Sequence, residues 1–279
     1  MIDGPTAGHE SQKSTAAQMK QPNLAELVAG RLRAKILAGE FGDGDLLPKQ
    51  DELLAAFPVS RPSLREALRI LESEGLITVR RGKFGGAVVH RPTPVSVART
   101  LSLVLSSRAV ELRDVARALE LIEPLCAGMC TQREDRRDVV LPILREHDAQ
   151  FVAALKSGDL STAVVASRKF HEEIVQQCGN ETLIVLVSAI ETIWSDQYLN
   201  WAMETDHQGV WPDQAAQAAA AADHKILLSL IEDGDADKAI AVARQHLVTV
   251  QRYPMDETAG SKTVELNQLN SSPGRSTTW

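Results

Sequence analysis

Three histidines and a run of arginines carry most of the chemistry this sequence offers. His224 precedes a break at Gly234 by ten residues, and His246 follows Asp235 by eleven. At about 1.5 Å rise per residue, two antiparallel helices joined at that break hold both imidazoles at similar depth. His171 sits on another amphipathic stretch, among Phe170, Ile174 and Val175. Imidazoles gathered inside a helical bundle bind a divalent metal, and nitrogen donors favour Zn, Ni, Cu or Fe. The alternative is that each histidine is separately buried or exposed.

The arginines lie in residues 60–73, SRPSLREALRILES. Leu64, Ala67, Leu68 and Leu71 form an apolar stripe, and Arg61, Ser63, Arg65 and Arg69 lie off it. A helix that reads DNA needs one face to dock on its own domain and another whose side chains reach base edges. Ser60 is a good N-cap, and the positive end of the helix dipole adds attraction for phosphate. Arg80, Arg81 and Lys83 fall in a glycine-rich tip between Ile77–Val79 and Ala87–Val89. That pattern reads as a hairpin whose basic tip enters a minor groove or grips backbone. The blander alternative is a solvated basic helix followed by an ordinary hairpin.

A third group is aromatic. Trp194, Tyr198 and Trp201 recur at i, i+4 and i+7 on one helix face, with Trp211 just beyond. Such a stripe serves core or dimer packing, or forms the wall of a pocket for an apolar or aromatic effector.

The elements that must position these residues divide the chain in two. Its 279 residues allow two modest domains, and 44% hydrophobic with 24% charged residues is ordinary for a globular protein. The net charge of −7 is unevenly spread. Residues 22–92 hold 11 Lys and Arg against 9 Asp and Glu, whereas residues 93–252 hold 15 against 23. One part can face phosphate and the other is repelled by it. Three cysteines, Cys126, Cys130 and Cys178, do not suggest a disulfide framework, and Cys126 with Cys130 reads as small buried apolar groups. No apolar run has the length of a membrane span and no signal peptide is evident, so the expected compartment is the cytoplasm.

Residues 1–20 and 253–279 lack periodicity and read as a disordered leader and tail. Residues 21–92 begin with a helix over Leu24–Leu37, broken by the glycines of Gly39–Asp45, then a short helix over Gln50–Phe57. Residues 93–252 follow the stiff Arg91-Pro92-Thr93-Pro94 boundary with six or seven amphipathic helices, near 95–107, 111–131, 137–156, 160–178, 181–203, 215–232 and 236–252. The fold class is therefore mainly α: an N-terminal winged helix-turn-helix and a C-terminal all-α helical bundle.

The segment from Val28 to Gly86 resembles the winged helix-turn-helix of the GntR family of bacterial regulators. The resemblance rests on the G-x-[FY]-x-x-G-x-x-L-P lead, the V-S-R-x-x-x-R-E-A-L core and the L-x-x-x-G-L that opens the wing. It implies that Arg61 and Arg65 contact operator bases and phosphates and that Gly82 and Lys83 reach the minor groove. Relatives commonly carry Ser-Glu-Arg where this chain has Lys49-Gln50-Asp51, so a capping serine and a DNA-touching arginine are absent. Lys49 is then a candidate phosphate contact.

FHEEIVQQCGN (Phe170–Asn180), the stretch Ala222–Ala239 and ARQH (Ala243–His246) are similar to the FCD-type effector domain of the FadR subfamily. That resemblance implies a metal on His171, His224 and His246, Zn or Ni, and an effector pocket drawing on Glu123 and Ser167, whose wall Trp194, Tyr198 and Trp201 form if the aromatic stripe lines it. Ser167 stands where metal-binding relatives have an aspartate, four residues before the first histidine. Leu119 stands where relatives carry an arginine that pairs an effector carboxylate.

The function implied is a homodimeric repressor. It binds a pseudo-palindromic operator and responds to a small molecule, a carboxylate or an aromatic metabolite. No general base stands out, so an enzyme is not expected. The rival readings are a metal-dependent enzyme on the three histidines and a bundle that only dimerises.

Overall fold

The computed structural model describes residues 23–80, 82, 85–205, 214–250 and 262–264; the side chains of 160, 161, 197–205, 214 and 250 are outside that description. The chain divides into two units, Met1–Pro92 and Thr93–Trp279.

In the first unit, α1 (Leu24–Leu37) is capped by Asn23, whose side chain accepts from the Ala25 N–H. α2 (Gln50–Ala56) lacks a capping serine, and Glu52 supplies half of a capping box by accepting from the Lys49 backbone N–H at 2.8 Å. α3 (Arg61–Ser73) starts at Ser60, whose hydroxyl accepts from the Ser63 N–H. Leu64, Ala67 and Leu71 point inward, and Leu68 is partly buried at the edge of that stripe. They pack on Leu32 and Ile36 of α1 and on Ile77 and Val89 of an antiparallel hairpin, β1 (Ile77–Arg80) and β2 (Gly86–Val89). The wing has a further edge that the periodicity does not reveal. Leu46 bridges Val88, with the Leu47 N–H bonded to the Ala87 carbonyl at 2.8 Å.

The second unit holds seven α-helices among the described residues: α4 (Pro94–Ser107), α5 (Leu112–Gln132), α6 (Leu141–Ser157), α7 (Leu160–Gln176), α8 (Glu181–Thr205), α9 (Gln214–Asp233) and α10 (Ala236–Val250). A π-helical turn, Arg136–Val140, leads into α6. Left-handed Gly158 ends α6, and left-handed Gly234 makes the turn between α9 and α10. Leu119, Phe170, Leu144, Ile174 and Ile231 fill the main core. α5 and α10 approach closely because Gly128 has no side chain: a Cβ there would lie 2.6 Å from the Ile240 side chain. All three cysteines are buried, and burial raises the Cys126 and Cys130 thiols. They serve as packing groups.

The stretch read as a disordered tail includes residues that belong to the bundle. Residues 262–264 run antiparallel to Val110–Leu112, with the Leu112 N–H donating to the Lys262 carbonyl at 2.8 Å and Val264 buried. A single bridge between Glu111 and Thr263, far apart along the chain, leaves no local periodicity to read. Residues 1–20 lie outside the described residues. Among the described residues no helix is long and apolar enough to cross a membrane.

Candidate functional site

α7, α9 and α10 bring His171, His224 and His246 together, one ligating nitrogen from each lying within 4.8 Å of the others. The helices place them there because each histidine occupies a core-facing position. His224 and His246 are 1% and 2% exposed, and His171 is half-buried. Phe170 stacks on the His224 ring with centroids 4.0 Å apart, and Phe151 covers another side at 5.1 Å.

Each imidazole turns its Nδ1 to a carboxylate on a different helix. His171 Nδ1–H donates to Glu123 Oε1 of α5 at 2.7 Å. His246 Nδ1–H donates to Asp223 Oδ2 of α9 at 3.2 Å. Asp148 Oδ1 of α6 faces His224 Nδ1 at 3.4 Å, a charge contact too poorly aligned to count as a hydrogen bond. An ionised carboxylate only accepts, so this arrangement places the protons on Nδ1 and the lone pairs on Nε2. Two consequences are visible. The Nε2 atoms of His171 and His246 face one another at 3.1 Å, and Nε2 of His224 is buried with no hydrogen-bond partner. Two facing Nε2 atoms are satisfied by a shared proton or by a cation held between them, and outer carboxylates of this kind orient metal-bound histidines. The donor set fits a divalent metal.

Burial pushes the His224 imidazole down to about 4, with Asp148 opposing and His171 assisting. His246 lies well below its ordinary value through burial and the neighbouring His171 and His224 rings. The His224 shift has a measurable sign. Above pH 6.5 both folded and unfolded chains carry it neutral, and below that the unfolded chain takes up the proton first, so stability is lost as pH falls towards about 4. Chelator-treated protein should therefore lose about 2 kcal/mol more stability between pH 7 and pH 5 than a His224→Gln variant does. Urea unfolding at the two pH values checks this, and equal losses would contradict a buried neutral ring.

The other expected pocket residues are dispersed in role. Glu123 is committed to His171. Ser167 is partly buried one turn before His171 on α7. Trp194 packs between the main core and a second apolar cluster around Ala98, Val115 and Ile193. Tyr198 and Trp201 have side chains outside the described residues. Leu119 is 1% exposed within the core.

Three acidic residues of this region escaped the sequence reading: Asp148, Asp223 and Glu191. Asp148 interrupts the buried stripe Leu141, Leu144, Phe151, and Glu191 follows Ile184 and Val187 on the inward face of α8. A carboxylate on an apolar stripe was the available signal. Glu191 is 8% exposed, and its carboxyl is held well above the usual range by burial and by Glu123 and Glu172, with Arg168 opposing. Arg168 is itself bound to Glu172 at 2.7 Å.

In the first unit, Lys49, Arg65 and Arg80 are exposed, and Arg69 lies 3.6 Å from Glu66. Arg61, the first residue of α3, is exposed and bonds Asp51 of α2 at 3.0 Å. Ser63 lies in the first turn, 2.9 Å from the Ser60 hydroxyl. Gly82 adopts a left-handed φ of 110° at the wing tip. Arg81 and Lys83 lie outside the described residues.

Residues 24–88 match the family model for bacterial regulatory proteins of the gntR family, and residues 114–249 match that of the FCD domain. The HTH-type transcriptional repressor NanR of Salmonella arizonae is 40% identical over 97 residues, 35% of this chain and 35% of that protein. NanR of Klebsiella aerogenes is 39% identical over 97 residues, again 35% of each. The match thus spans about a third of the length of these curated relatives. Among solved structures, a Streptococcus agalactiae GntR protein covers 82% of this chain and 99% of its own, at 22% identity and a TM-score of 0.61, a likeness of fold.

Proposed function

Since the chain belongs to the GntR family, with an FCD domain following its DNA-binding domain, we propose that it is a ligand-responsive transcription regulator that binds operator DNA. The observation that carries this is α3: a capped helix with a buried apolar stripe and exposed Arg61 and Arg65 at its N-terminal end, beside a hairpin wing. That is the form a recognition helix takes in a major groove. Lys49, Ser60, Ser63, Arg69, Arg81, Gly82 and Lys83 complete the contact surface. Resemblance to relatives named as repressors supports repression over activation. The chain acts as a homodimer in the cytoplasm, engaging two half-sites of a pseudo-palindrome.

His171, His224 and His246 hold a divalent metal, Zn or Ni. A metal held by these three rings would offset the buried Glu123 and Asp148 carboxylates and would supply Lewis-acid chemistry towards an effector oxygen. With Ser167 in place of an aspartate, the protein supplies neutral ligands only. Apart from the metal, a carboxylate effector loses the arginine pairing of relatives, because Leu119 is apolar, and Arg168 is engaged by Glu172. The enzyme reading is weaker. Glu123, Asp148 and Asp223 all face Nδ1 atoms rather than the facing Nε2 atoms of His171 and His246, so none is placed as a general base there.

Selection of binding sites from random duplexes by the full chain, followed by titration of Arg61→Ala, tests the DNA assignment. The variant should bind about 1–3 kcal/mol more weakly and with relaxed sequence preference. Unchanged affinity in a folded variant would remove Arg61 from the recognition role.

A further inference from the structure

Arg61 does not stand alone at the reading surface. Its Nη2 donates to Asp51 Oδ1 at 3.0 Å, joining the start of α3 to the first turn of α2. The two side chains are 65% and 83% exposed, so the pair contributes little to stability and its removal leaves the fold intact. The pair also carries no net charge. Phosphate gains little from it, and a carboxylate beside the guanidinium repels the backbone of an approaching duplex. What remains is directional: Asp51 takes one of five guanidinium donors and leaves a parallel pair suited to the O6 and N7 of guanine.

The geometry points to Asp51 as a positioning residue that makes Arg61 a reader of a guanine base edge instead of a phosphate contact. The inference rests on the DNA-binding reading above. It also accounts for an acidic residue placed beside the exposed Lys49, Arg61 and Arg65. The carboxylate lowers general affinity for DNA while raising the contrast between right and wrong bases, because a guanidinium held in one orientation loses less rotamer freedom on binding and is denied alternative phosphate partners.

The experiment compares the wild-type full chain with Asp51→Ala and Asp51→Asn on a duplex selected from a random library and on the same duplex with each base pair changed in turn. Asparagine keeps an oxygen that accepts from Arg61 but removes the charge. In both variants, log K against log salt should become steeper by about 0.9, because loss of the carboxylate leaves one more net positive charge facing the phosphates. Discrimination at one G·C pair should fall roughly tenfold in Asp51→Ala and persist in Asp51→Asn. The same pair should lose its effect in Arg61→Ala. If Asp51→Ala tightens every sequence equally with no loss of discrimination, Asp51 merely repels and the inference fails. Equal loss of discrimination in Asp51→Asn and Asp51→Ala overturns it as well. A wild-type chain that selects no sequence overturns the DNA-binding reading and the inference together, a pattern none of the other outcomes gives.

Discussion

Replacing His224 by alanine is expected to weaken zinc or nickel binding by more than about 100-fold, beyond the roughly 10–100-fold that an outer hydrogen-bonding partner costs. The ring is one of three donors, and losing it leaves His171 and His246 unable to enclose an ion. It also stacks on Phe170, so alanine opens a cavity, and His224→Gln keeps more of the volume for the same comparison. Calorimetric titration with each metal after chelator treatment, beside circular dichroism of each variant, reads the effect. The complementary change is Ser167→Asp, which puts a carboxylate one turn before His171. It should raise affinity on the order of tenfold by adding an anionic oxygen ligand. Equal binding by wild type and both His224 variants would show that the histidines are not the ligands. A wild type that binds no metal while Ser167→Asp does would leave the cluster as an effector pocket.

The second large effect concerns valency. A fragment ending at Pro92 is expected to fold, because Leu32, Ile36, Leu64, Leu71 and Val89 form a core within residues 23–92. It should nonetheless bind a selected duplex about 100-fold or more weakly than the full chain, since two half-sites are no longer engaged by one linked pair. Light scattering should report a monomer for the fragment and a dimer for the full chain. A fragment that stays dimeric, or one that binds as tightly as the full chain, would remove dimerisation from residues 93–252.

The helices of both units were legible because amphipathic periodicity is a local property. The stripe Leu64, Ala67, Leu71 packs inward as its spacing requires, and exposed Arg117 with buried Leu119 shows the rotation of about 100° per residue that separates them. The convergence of His224 and His246 was also legible, because a two-helix hairpin with a tight turn at Gly234 fixes the depth of residues equally far from it. Glu123 enters only through the resemblance to the FCD domain, and its bond to His171 only through the structure.

Composition, the division of charge, the helix positions to within a few residues and the identity of the three imidazoles follow from the sequence by itself. The pairings follow only from the tertiary structure. Asp223 is adjacent to His224 yet bonds His246, because consecutive side chains leave a helix about 100° apart and the neighbour in sequence faces another helix. Asp148 meets His224, Leu46 extends the wing, residues 262–264 close on Val110–Leu112, and Asp51 reaches Arg61 across the turn between two helices. Each is a contact between segments whose separation along the chain carries no periodic signal. Which partner wins is set by helix packing, and packing depends on the whole core at once.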